Sequence, residues 1–143
     1  EHAFFVEVDR STETLDTLAA KAAGYLDFYR SGGFAERCGG ARPEFKEYPF
    51  RVLMVFKTAE RRNNMAERLL RADPPILTLA ALATLDDARR DPVGEIWMRP
   101  LDYREATTGT PYEPRRGQDR QGYRRDAARD SFVESKVPKQ GIL

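Results

Sequence analysis

Glu7 and Asp9 are the residues whose type and spacing could do chemistry in this 143-residue chain. They flank Val8 in Ala3-Phe4-Phe5-Val6-Glu7-Val8-Asp9, an aromatic and β-branched run that reads as a strand. Period two sends both carboxylates to one face with Phe5, and Phe4, Val6 and Val8 to the other. Two carboxylates placed this way can share a divalent cation. Mg2+ suits them, because it takes one or two carboxylates and fills its remaining positions with water and phosphate oxygens. The same pair also fits a solvated sheet edge, or an Asp9 that helps to cap the next helix.

Lys21 and Tyr25 come next, one turn apart on the helix that follows. Lys21 lies at the flank of that helix's apolar stripe, within reach of the carboxylates over the sheet. An ammonium beside a metal-bound water can stabilise developing charge or tune proton transfer. A snorkelling lysine and an amphipathic tyrosine on a helix border fit the same positions. Two basic groups could grip phosphates: Arg61 and Arg62 at the start of a second helix, and Arg115 and Arg116 at the head of an arginine-rich stretch that continues to Arg129. Tyr112 and Tyr123 interleave with the latter, as in surfaces that stack on bases, while Glu113, Asp119, Asp126 and Asp130 dilute its field.

These residues need elements to position them. Arg10-Ser11-Thr12-Glu13-Thr14 supplies hydroxyl caps, and Leu15, Leu18, Ala19, Ala22, Leu26 and Tyr29 form one apolar stripe, so a helix is expected over 13–30, ended by Gly32-Gly33. Residues 32–48 hold four glycines and a proline and read as a loop. Phe50–Phe56 is almost continuously apolar, as expected of a strand covered on both faces. A helix over 59–72 follows, with its arginines outward, then Pro74-Pro75, a strand over 76–82, a short helix capped by Thr84, and a brief extended piece at Glu95–Met98. Strand and helix alternate in the manner of βαβ units.

Composition excludes several classes. One cysteine, Cys38, and one histidine, His2, cannot build a disulfide framework, a cysteine-rich metal site or a histidine-based triad. No P-loop, dinucleotide fingerprint, nucleophile elbow or HExxH is present. The 24 Lys+Arg against 23 Asp+Glu lack the basic excess of a committed nucleic-acid binder. No apolar run approaches the roughly 20 residues of a membrane span, which points to a cytoplasmic protein without a membrane partner. The chain starts at Glu1 and enters a strand at once, so it reads as the C-terminal portion of a longer protein. Residues 1–100 are expected to be an α/β domain, and 101–143 an extended or disordered basic and polar tail that offers a surface to a protein partner.

The run from Phe4 to Glu13, then Lys21 and Tyr25, then Val52–Phe56 with Thr58-Ala59-Glu60-Arg61-Arg62, and finally Asp91-Pro92-Val93-Gly94-Glu95-Ile96-Trp97, resembles the replication-relaxation family of plasmids and mobile elements. The strand–helix unit is also similar to the second half of the restriction-endonuclease-like, or PD-(D/E)XK, core. There Glu7 matches the family's glutamate, Asp9 stands at the usual lysine position, and Lys21 matches a lysine moved to the next helix. The resemblance implies an α/β fold with a mixed sheet and flanking helices. It also implies a DNA-associated role in plasmid replication or mobilisation through a nuclease-like domain, active or inactive. If active, Glu7 and Asp9 hold Mg2+ with Lys21 near the scissile phosphate, as in a DNA endonuclease or nickase. The alternative is a non-catalytic interaction scaffold.

Overall fold

The computed structural model describes residues 2–110 and 137–142. Three strands, β1 (Ala3–Asp9), β2 (Phe50–Phe56) and β3 (Ala80–Thr84), form one parallel sheet in the order β1-β2-β3. Helix α1 (Leu15–Arg30) and the short α2 (Gly33–Arg37), followed by a 3-10 turn at Arg42–Glu47, connect the first pair. Helix α3 (Ala59–Leu70) connects the second, and α4 (Leu85–Arg90) and α5 (Pro100–Thr108) follow β3. The fold is therefore α/β with a small open sheet and flanking helices. Its three strands are all parallel, whereas a mixed sheet was expected. Antiparallel pairing enters through two single bridges, Leu82 with Met98 and Trp97 with Gln140.

Local chemistry explains the boundaries. Thr14, Thr58 and Thr84 each accept a bond from the backbone N–H three residues on, satisfying a donor that a helix start leaves orphaned. Gly32 takes φ 75°, and a Cβ there would collide with the backbone of Arg42, so glycine is required where the chain turns from α1 into α2. The third strand starts later than its apolar run suggests, because the residues before it are spent elsewhere. Ile76 N–H donates to Leu69 O at the end of α3, and Leu77 O accepts from Leu101 N–H at the start of α5.

Helices α1 and α3 both lie on one face of the sheet. There Leu18, Ala22, Leu26, Met65 and Leu69 pack on Phe50, Val52, Met54 and Phe56. The other face is smaller: Leu53, Val55, Ala81 and Ala83 are covered by Trp97, α4 and Ile142. Beside that cover, β1 is an edge strand whose Val6 and Val8 are 61% and 53% exposed.

Helix α5 lies within the region expected to be extended tail. Its nine residues present too few apolar positions for a helical period. It docks on α3 all the same, through buried Pro100 and Tyr103, with the Tyr103 hydroxyl donating to Glu67 Oε1 at 2.6 Å. Residues 137–142 likewise return to the sheet. Residues 111–136 of that region, which include Arg115 and Arg116, lie outside the described residues.

Candidate functional site

Parallel pairing with β2 sets Glu7 beside Met54 and Asp9 beside Phe56. The face shared by Phe5, Glu7 and Asp9 turns toward the helices: Phe5 meets Tyr25 and Phe28 of α1, Glu7 meets Tyr25 and Lys21, and Asp9 meets Arg61 of α3. The valine face is the one left open.

Glu7 is held from α1. The Tyr25 hydroxyl donates to its Oε1 at 2.9 Å, and Lys21 Nζ stands 3.6 Å from its Oε2. Lys21 bonds more closely to Glu13, donating to both carboxylate oxygens at 2.9 Å. That bond, with the Glu7 charge behind it, holds the ammonium above its ordinary pKa against a smaller opposing desolvation. Burial, then the bond to Glu7, pushes the Tyr25 phenol up.

Asp9 is held from α3. Its side chain is 2% exposed. Oδ1 accepts the Ser11 N–H at 2.9 Å and Arg61 Nη2 at 3.2 Å, while Oδ2 accepts Arg61 Nε. The two-pronged contact raises the Arg61 pKa. Arg61 Nη2 also donates to the Glu13 carbonyl. Glu13 thus closes a continuous network, its carboxylate on Lys21 and its backbone on Arg61, running from Tyr25 through Glu7, Lys21, Glu13 and Arg61 to Asp9. Ser11, at φ 65°, makes the turn that lets the chain fold back on Asp9.

The expected residues Glu7, Asp9 and Lys21 therefore meet in one network, together with Tyr25. The donor set does not fit a bound Mg2+ as it stands. A magnesium ion needs open carboxylate oxygens, yet both Asp9 oxygens are bonded to a guanidinium, and one of them to a backbone N–H as well. Among the described residues no group of three or more His, Cys, Asp or Glu is arranged to hold a metal.

Of the arginines assigned to DNA from the sequence, Arg61 and Arg62 are among the described residues, and both are engaged within the fold. Arg61 is committed to Asp9 and Glu13. Arg62 is 0% exposed, turned inward with its guanidinium on Asn63 Oδ1 at 2.9 and 3.1 Å, so it lies on the buried side of α3 and not outward as expected of the helix's arginines. Sequence reading missed Arg61 as the partner of Asp9. The signal available was an aspartate ending one strand and an arginine three residues beyond the cap of the helix after the neighbouring strand.

This β1–α1 geometry coincides with a family signature. Residues 1–43 match the family model described as Replication-relaxation. The segment matched by that model carries Glu7, Asp9, Glu13, Lys21 and Tyr25, and it stops short of Arg61 and of the resembling phrases at 52–62 and 91–97. No curated protein and no solved structure matches the chain. Among the described residues no helix is long and apolar enough to cross a membrane.

Proposed function

We propose that this protein is a DNA-associated component of plasmid or mobile-element replication or mobilisation, and that its β1–α1 unit is a non-cutting scaffold descended from a nuclease-like core. The observation that carries the first half is the replication-relaxation match across that strand and helix. The second half rests on the carboxylates. A hydrolytic site needs them open to a metal and a water, and here Asp9 is closed by Arg61 while Glu7 is bonded to Tyr25 and paired with Lys21.

The DNA-facing surface in this reading is the carboxyl edge of the sheet. Arg10 and Lys57 follow the paired residues Asp9 and Phe56, so two exposed cations project from neighbouring strand ends, close to the starts of α1 and α3. Cations there position a phosphate backbone without reading sequence. Arg115 and Arg116 add charge to the same role in this proposal.

The test pairs a gel-shift titration at two salt concentrations with a nicking assay on supercoiled DNA in Mg2+ or Mn2+. Wild type is expected to bind, and Arg10→Ala with Lys57→Ala to weaken binding while reducing the salt slope by about one per lost phosphate contact. Neither wild type nor Glu7→Ala is expected to nick. Cleavage by wild type that Glu7→Ala abolishes would replace the scaffold with a metal-dependent nickase.

A further inference from the structure

We infer that the Arg61 guanidinium is the resident cation of the Glu7/Asp9 face, standing where a metal-dependent site would place a divalent ion. The inference deepens the non-cutting reading but does not depend on DNA association. Three features carry it. Arg61 comes from a different βα unit, 52 residues from Asp9, so the contact joins the two halves of the sheet and is not local helix pairing. Its Nε and Nη2 approach both oxygens of a carboxylate that is almost wholly shielded from water. The same Nη2 takes the Glu13 carbonyl, an oxygen of the kind hard cations use. One planar group therefore gathers a carboxylate and a backbone carbonyl, and its charge is permanent.

With the Arg61 guanidinium on both Asp9 oxygens, a divalent ion would have to approach against a fixed positive charge. The chain should hold this face in one geometry with or without divalent ions, and lose the arrangement when Arg61 is removed. The experiment uses the whole chain and no DNA. Thermal unfolding is followed with EDTA or with millimolar Mn2+, alongside a Mn2+ titration read by electron paramagnetic resonance. Wild type is expected to show the same melting temperature in both conditions and no specific Mn2+ binding. Arg61→Ala is expected to melt several degrees lower and to recover part of that loss in Mn2+, and the recovery should vanish when Asp9→Asn is added. A wild-type melting temperature raised by Mn2+, with the rise lost in Asp9→Asn, would overturn the inference. So would stoichiometric Mn2+ binding to wild type that Asp9→Asn abolishes. If Arg61→Ala does not fold, Arg61→Lys keeps the charge, and the wild-type titration still decides. Failure of DNA binding leaves these readings untouched, which separates the inference from the functional proposal.

Discussion

Arg61 reaches from the first turn of α3 to grip Asp9 at the end of β1 with two of its nitrogens, and a third bond from the same side chain ends on the Glu13 carbonyl. The grip is unequal in its surroundings: the Asp9 side chain is 2% exposed and that of Arg61 is 23% exposed. Removing the arginine strands a buried carboxylate, whereas removing the carboxylate frees a guanidinium that can turn to water.

That asymmetry sets the first prediction. Arg61→Ala should destabilise the fold by about 2–4 kcal/mol, somewhat below a fully buried pair because solvent screens part of the contact. Asp9→Asn should cost about 1–2 kcal/mol, since the amide still accepts one bond. Denaturant unfolding of both variants checks the order, and Asp9→Asn proving the costlier would contradict the account.

Tyr25 and Glu7 give a smaller, separable effect. Tyr25→Phe should lower stability by about 1 kcal/mol through the lost hydroxyl bond. Glu7→Gln keeps an acceptor for the phenol and should cost less. A double-mutant cycle on Tyr25 and Glu7 should return a coupling of similar size; a coupling of zero would mean that the bond contributes nothing in solution.

Alkaline pH should loosen the same network. Lys21 and Tyr25 both have folded-state pKa values raised above their ordinary 10.5 and 10.0. Above about pH 10 the native state therefore binds more protons than the unfolded chain, so stability must fall as pH rises through the folded values, and is fully retained below the ordinary ones. Lys21→Met and Tyr25→Phe should each flatten that decline. Unfolding midpoints followed from neutral to strongly alkaline pH would show it, and a wild-type midpoint indifferent to this range would count against it.

Neighbouring strands on one face of the sheet should respond differently to substitution, because the cover reaches β2 and leaves the edge strand β1 open. Val6 and Val8 point to solvent, so Val6→Thr and Val8→Thr should change stability by no more than about 0.5 kcal/mol. Leu53, paired with Val6 in register and 5% exposed, should cost about 2–4 kcal/mol when replaced by alanine. Equilibrium unfolding of the three variants is sufficient, and a large loss at Val6 would place an unseen partner on that face.

Strands β1 and β2 and helices α1, α3 and α4 were legible because their signals are local, whereas α2 and the 3-10 turn lie in a stretch that its glycines mark as loop. Phe50–Phe56 follows from an apolar run and the start of α4 from its Thr84 cap. What sequence could not supply was direction across the sheet. Period two groups Glu7 with Asp9, but it does not say that this polar face turns to the helices and the valine face to solvent. That choice is made by Phe5 and Phe50 packing against α1 and by Arg61 waiting for Asp9. Arg62 eluded the reading for a related reason: a long cation on an amphipathic helix ordinarily points outward, and an adjacent asparagine that accepts its guanidinium gives no periodic signature. Helix α5 was hidden because one tyrosine and one proline anchor it in place of a stripe.

Trp97 is the single tryptophan of the chain, 3% exposed, with its indole N–H on Pro92 O at 2.9 Å. Its backbone exchanges two bonds with Gln140, and Ile142 joins the cluster around it. The chain thus carries its own fluorophore at the seam where residues 137–142 rejoin the sheet. Peeling that segment away wets the indole and reddens its emission while α1 and its far-ultraviolet signal stay intact. An emission change that precedes the loss of circular dichroism would report local undocking, and coincident transitions would report a seam that opens with the whole fold.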